Sequence, residues 1–464
     1  MIIIHDTVVV TGLKDEPVRR NAAIAIEGGA IAAIAASDDV LARYEGGERV
    51  DGRGLAVMPG LANCHNHLVR VLARGVFEDQ PAPNTPPYSR RANLPFPALT
   101  KSERRSMVRL GALEAIRGGT TLLMDIAGAI EDYAAVLAGT GLRLVLAEQG
   151  TDRARGVRVG EAVAFERDPE RGAGALQAMA TLFDNWNGAM GGRIKVAAAV
   201  HAPDMASPEF LGEVRTLQER LGCLATIHLN QYWGEVDAVK MARGKPPTLY
   251  LADAGFLSDR LVAAHCRCMT KEEQAALGSA RATVCFTPVA SARGGRLADI
   301  SALEQSGCEI VLGTDEFTED MFEVMRLALL LERARRGDGD SVMPHQVLRW
   351  ATANGYRALG FPDGGTLREG GLADLVMMDV SGAHHAPGLR INASVVHTGQ
   401  AGDIRSVMVD GTWIMRDGKV LTIDEEAVIN EAREVAQAAW VRTLAENPTI
   451  SVPDGFSVQA PQGR

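Results

Sequence analysis

Apolar residues fall into two textures along this chain. Near both ends, short strand-like runs are interrupted by glycine turns: residues 2–10 and 22–35, the second broken at Gly28-Gly29, and again GTLREGGLADLVMMDV and SVMVDGTWIMRDGKV after residue 365. Gly-Gly and Asp-Gly supply the positive φ values of tight hairpins, so these segments predict a small β-sandwich built from both ends of the chain. Between them lie eight nearly continuous apolar runs, at 55–64, 120–126, 142–149, 194–200, 223–229, 260–266, 282–287 and 309–315. Stretches such as 102–119 and 321–336 separate the runs and carry apolar residues at i, i+3 and i+4, the helical period. Continuous apolar strands suit a parallel sheet covered on both faces. Eight strand-helix units predict an α/β fold, a (β/α)8 TIM barrel. The expected division is residues 1–57 with 365–424 for the β domain, 58–364 for the barrel, and 425–464 for a C-terminal amphipathic helix with a loosely held or subunit-contacting tail.

Bulk properties narrow the function. The chain has 464 residues, 46% hydrophobic and 23% charged, with a net charge of -10. That charge disfavours nucleic acid and acidic lipid as partners, because phosphate neutralisation supplies most of such affinity, and leaves a small molecule as the expected substrate. No apolar run reaches membrane-spanning length and the first residues lack a basic n-region, so a cytoplasmic location is expected. The six cysteines are scattered among the apolar runs and read as structural thiols.

The chemistry sits at strand ends. His65-Asn66-His67 closes the first run, His228 the fifth and Asp315 the eighth. Histidines two apart on a strand share a face, and barrel enzymes place their sites where strands end. Cys64 and Asn66 should then face the other way. Asn63 either braces the strand end or packs.

On these residues the chain resembles the amidohydrolase superfamily. VMPGLANCHNHLVRVLARG is similar to its first-strand signature, and His201-Ala202-Pro203, His228, Ala264-His265-Cys266 and Gly313-Thr314-Asp315 recur in its order. The branch it resembles holds aminohydrolases and chlorohydrolases of nucleobase-like and triazine-like rings. The resemblance implies one divalent metal, Zn2+ first, Fe2+ or Co2+ as alternatives, on His65, His67, His228 and Asp315. It gives Asp315 a second role in taking a proton from metal-bound water, His265 a hydrogen bond to the hydroxide or oxyanion, and His201 contact with substrate. A homo-oligomer is also implied. Lys195 opens its strand, away from where binuclear members keep a bridging lysine.

Two departures matter. The family's His-x-x-Glu is here His228-Leu229-Asn230-Gln231, and glutamine is neither acid nor base near neutral pH. Glu316, on a bent loop, is the first candidate to replace the missing carboxylate; Glu235 reads as the start of a solvated helix. Otherwise a urea, carbamate, thiocarbamate or amide substrate needs no ring protonation and Gln231 donates a hydrogen bond to it, or the chain binds metal and ligand without turnover. The second departure is Phe286-Thr287-Pro288, where the family has a histidine, followed by an Arg293 to Arg296 loop. The Pro-rich stretch 76–99 is long enough to cover the barrel mouth, and Tyr232 and Trp233 could wall a ring. His384-His385 reads as a surface loop.

Overall fold

The computed structural model describes residues 1–15, 17–78, 95–154, 165–450 and 452–458. Five strands precede the barrel: β1 (Ile2–Val10), β2 (Val18–Glu27), β3 (Ala30–Ala36), β4 (Glu48–Asp51) and β5 (Leu55–Pro59). Eight form it: β6 (Leu61–Asn66), β7 (Thr120–Ala127), β8 (Arg143–Gly150), β9 (Ile194–Val200), β10 (Leu224–Leu229), β11 (Leu261–His265), β12 (Thr283–Phe286) and β13 (Glu309–Leu312). Four follow: β14 (Leu375–Asp379), β15 (Ile404–Val409), β16 (Thr412–Arg416) and β17 (Lys419–Val420).

The strands from the two chain ends make one sheet, ordered β17-β16-β15-β14-β5-β1-β2-β3, with β4 beside β1. Ile4, Ile24, Ile34, Val57, Leu375 and Met408 share one buried cluster, so neither end completes this core alone. The run 55–64, expected as one barrel strand, is split at Gly60 between the two sheets. A Cβ on Gly60 would fall 1.9 Å from Thr121 Oγ1, so only glycine lets the chain cross that close to β7.

Strands β6 to β13 follow one another in parallel register. The ring closes where Asn66 bridges Asp315 and the Asp315 N–H donates to His65 O at 3.0 Å. Alternate residues, among them Ala62, Met124, Val145, Ala197, Val262 and Val311, fill the interior. Cys64 joins them, contrary to the expectation that it faces away from the histidine side. The β6–β7 register shifts between Asn63 and Asn66, and this irregularity breaks the period-two alternation assumed for a regular strand.

Opposite the mouth, Tyr356 from the helix Ala353–Ala358 plugs the interior. Its hydroxyl lies 2.7 Å from Thr121 Oγ1 and donates to Asp374 Oδ2 at 2.8 Å. Asp374 also takes two bonds from Arg143, at 2.6 and 3.0 Å, and one from Asp410 N at 2.7 Å. One buried carboxylate thus ties the barrel floor to the end sheet. Lys195 lies here too, donating to Gly360 O.

The C-terminal helix Glu425–Glu446 packs on Lys101–Arg117, with Arg442 paired to Glu103 at 2.8 Å and Trp440 Nε1 donating to Leu72 O at 3.1 Å. The tail is not wholly loose: the Phe456 ring meets Trp440 edge-on at 5.4 Å. His385 is also more buried than a surface loop implies, because it and His384 both bond Asp403. All six cysteines are free and buried.

Asp374→Ala is expected to cost about 3–5 kcal/mol in denaturant unfolding, because it leaves the Arg143 guanidinium buried and unpaired. Asp374→Asn should cost less.

Candidate metal centre and active site

The centre is assembled from strand ends whose backbone bends sharply. His228 continues the inward parity of Leu224 and Thr226 on β10. Asn230, His265, Cys266 and Asp315 take positive φ values of 50°, 77°, 51° and 68°. Left-handed backbone costs a non-glycine residue about 1–2 kcal/mol, and its concentration here marks strain held by the surrounding fold.

Hydrogen bonds behind the rings decide which nitrogen faces inward. His67 Nδ1 donates to Ile126 O at 2.6 Å, and His228 Nδ1 donates to His201 O at 2.6 Å. A carbonyl only accepts, so each Nδ1 carries the proton and each Nε2 keeps its lone pair. Those two Nε2 atoms are 3.1 Å apart. Both nitrogens of His65, a fully buried ring, lack any hydrogen-bond partner. Asp315 Oδ1 stands 3.5 Å from His65 Nε2 and 3.6 Å from His67 Nε2.

Facing lone pairs, an orphaned imidazole and a carboxylate form a donor set that fits a divalent cation; three nitrogens and one oxygen suit zinc. Burial lowers the pKa of His67 to about 3, with His65 adding to the effect, and burial holds His228 and His265 well below the ordinary histidine value. His67 and His228 are therefore neutral, as ligation requires. Burial opposes ionisation of Asp315, but His265 and His65 hold it well below the carboxylate range.

A cavity of about 460 Å³ opens over this centre. His67, His201, His228, Gln231, His265, Asp315 and Glu316 all line it. His65 lies beneath, fully buried. Trp233 does not line it: it begins the helix Trp233–Arg243 and is 38% exposed, while Tyr232 is buried elsewhere, so neither walls the cavity. Glu316 is ion-paired with Arg70, which lies over the Phe96 ring at 5.0 Å. Phe96 to Leu99 line the mouth; residues 79–94 of the Pro-rich stretch lie outside the described residues. A short helix, Pro288–Arg293, follows β12, and the rest of the basic segment turns at Gly294-Gly295 before Arg296.

Of the groups that hold the centre in place, sequence reasoning named only Asn63, as one of two alternatives. Asn63 proves to be a brace: its amide donates to Thr314 Oγ1 at 2.7 Å and its carbonyl accepts from Thr314 N at 3.1 Å. Asn66 also bonds Thr314 Oγ1, at 2.9 Å, and both asparagines donate to the buried carboxylate Glu319. Asp125 takes Leu68 N at 3.0 Å and the Tyr133 hydroxyl at 2.7 Å, and burial raises its pKa to about 6. Arg267 lies beside His265. Glu235 is no solvated residue but is fully buried, accepting the N–H groups of Asn230 and Gln231 at 2.8 and 2.9 Å. Its place two residues into a helix after a strand-end turn was the available signal.

The amidohydrolase family model matches residues 56–414. The chain belongs to the amidohydrolase family. It is 30% identical to a 5-methylthioadenosine/S-adenosylhomocysteine deaminase of Pelotomaculum thermopropionicum, covering 94% of this chain and 98% of that relative. It is likewise 30% identical to a 5'-deoxyadenosine deaminase of Methanosarcina acetivorans, covering 96% and 99%. The fold matches an adenosine deaminase from Xanthomonas campestris with bound zinc at a TM-score of 0.81 and 24% identity, covering 95% and 98%. It also matches a zinc-complexed atrazine chlorohydrolase from Arthrobacter aurescens TC1 at 0.81 and 21%, covering 94% and 100%. The protein is a hydrolase acting on carbon–nitrogen bonds.

His228→Ala is expected to lose bound metal while keeping its fold; undiminished metal by elemental analysis would remove His228 from the ligand set. Burial, with Asp204 adding to it, pushes Glu235 well above the usual carboxyl range. Its folded pKa exceeds the unfolded one, so its contribution to stability is full at low pH and falls as pH rises through the folded value. Glu235→Gln should flatten that fall, and Glu235→Ala should cost about 2 kcal/mol by orphaning two backbone N–H groups.

Proposed function

We propose that the protein is an aminohydrolase with one divalent ion, zinc in the first instance, held by His65, His67, His228 and Asp315, and that it deaminates an amino-substituted ring of the purine nucleoside class. The convergence of these four groups under a cavity supports the metal, and the names of the relatives support the substrate class. A divalent ion in such a site acts as a Lewis acid and brings the pKa of water near neutrality.

The chain's own residues do the remaining work. Asp315, ionised at neutral pH, accepts the proton of the attacking water at its carboxylate. His265 donates a hydrogen bond to the oxygen that gains charge. His201, whose carbonyl fixes His228, presents its ring to the substrate. Gln231 offers an amide donor to a ring nitrogen, where the related pattern has a carboxylate. Trp233 has no substrate role in this reading.

Proton delivery to the leaving amine then falls to Asp315 or Glu316, the two carboxylates among the described lining residues. Glu316 is ion-paired with Arg70 and is free to serve only when that pair opens. The same observation favours a second reading, hydrolysis of a urea, carbamate, thiocarbamate or amide bond, in which no ring nitrogen is protonated. Among the described residues no helix is long and apolar enough to cross a membrane. A cytoplasmic location and a homo-oligomeric state complete the proposal, the latter read by light scattering.

The zinc-loaded protein is expected to release ammonia from one or more adenosine-type nucleosides and to lose this activity on chelation; amine or acid products without ammonia would establish the second reading. Gln231→Glu should raise deamination by about tenfold or more if position 231 limits proton transfer, since general acid–base groups are worth about 10²–10⁴. An unchanged rate would leave the proton to Asp315 or Glu316.

A further inference from the structure

The left-handed turn at His265 and Cys266 brings the next side chain, Arg267, back against the His265 ring. That side chain is 8% exposed. Its Nη2 lies 3.0 Å from His265 Nδ1 and 3.0 Å from Thr287 Oγ1, and its Nε donates to Ser291 Oγ at 3.0 Å. Thr287 Oγ1 is itself 2.9 Å from His265 Nδ1. The Arg267 backbone N–H donates to Asn230 O at 3.0 Å, which ties the segment to the end of β10.

A guanidinium has five N–H donors and no acceptor. His265 Nδ1, facing one of those donors, must offer its lone pair. Thr287 Oγ1 accepts from the same guanidinium, so its own hydrogen is free to point at Nδ1. Both hydrogen-bonding neighbours thus treat Nδ1 as an acceptor, while the Asp315 carboxylate stands 3.9 Å from it, beyond hydrogen-bond reach, so the ring proton resides on Nε2. This is the reverse of His67 and His228, whose Nδ1 atoms face carbonyl oxygens and carry the proton. Opposite hydrogen-bond partners therefore divide the histidines into rings that offer Nε2 as a lone pair and one ring that offers Nε2 as a donor.

We propose that Arg267 is a positioning residue that fixes His265 as the Nε2–H tautomer, so that His265 meets developing negative charge as a hydrogen-bond donor and Asp315 is left as the proton acceptor. The guanidinium also stands 3.9 Å from Asp315 Oδ2. The consequence for rate rests on the hydrolase reading above; the tautomer does not.

Two measurements separate these levels. Long-range 1H–15N correlation on the zinc-loaded, 15N-histidine-labelled protein, with the His265 signals identified by their loss in His265→Asn, should show the Nε2–H pattern. Arg267→Met should shift His265 toward the Nδ1–H form, with its proton donated to Thr287, while metal content and thermal unfolding remain near those of the parent. Arg267→Lys, which keeps a donor-only cation, should hold the Nε2–H form. On a substrate that is turned over, Arg267→Met should lower kcat about 10–100-fold, as losing an orienting partner typically does, with KM nearly unchanged and partial recovery in Arg267→Lys. An Nδ1–H pattern in the parent protein, or an Nε2–H pattern that survives in Arg267→Met, overturns the proposal whether or not a substrate is found. A shifted tautomer with undiminished kcat overturns its catalytic part.

Discussion

Two imidazole nitrogens with their lone pairs turned toward each other at 3.1 Å are the constraint on which the mouth of this barrel depends. Left alone they repel, and burial keeps both rings from taking up protons to relieve it. The carbonyls of Ile126 and His201 hold the rings in that orientation from behind. Those carbonyls belong to the ends of β7 and β9, so neighbouring strands, not the ligand strands themselves, aim the nitrogens. A cation held by these nitrogens would turn the repulsion into attraction, and binding energy of that kind would be folding energy for the strand ends that supply the ligands.

Barrel closure and the metal centre share atoms. The bridge that joins the last strand end to the first is made by Asp315 and Asn66, a candidate ligand and the residue between two others. Asn63, Asn66, Thr314 and Glu319 lock the same seam with side-chain bonds. At the opposite end Asp374 fastens the floor to the sheet built from both chain ends. The site is therefore held between two buried carboxylate networks. The cavity wall, by contrast, includes Phe96 and the Arg70–Glu316 pair, contributed by connecting segments and open to variation between relatives.

Two residues depart from the pattern the sequence resembles, and a third adds charge beside the centre. Gln231 replaces a carboxylate and Phe286 a histidine, while Arg267 places a buried cation beside His265. An uncharged residue 231 and a fixed positive charge nearby make a site richer in donors than one with a glutamate shuttle. In the proposed reaction, proton acceptance then rests on Asp315.

Periodicity and strand-end chemistry in the sequence determined the barrel and the shared end sheet and singled out His65, His67, His228 and Asp315 as candidates, with His265 added by the family resemblance, because strand burial repeats every second residue and polar groups stand out where an apolar run stops. Tertiary structure alone decided the remainder. That Glu235 is buried, that Trp233 lies outside the cavity lining, that Cys64 points inward across an irregular register, and that Glu316 and Arg267 find Arg70 and His265 all depend on backbone turns and on contacts between segments distant in sequence. A turn of one residue redirects a side chain completely, and no local pattern of polarity records which way it turns.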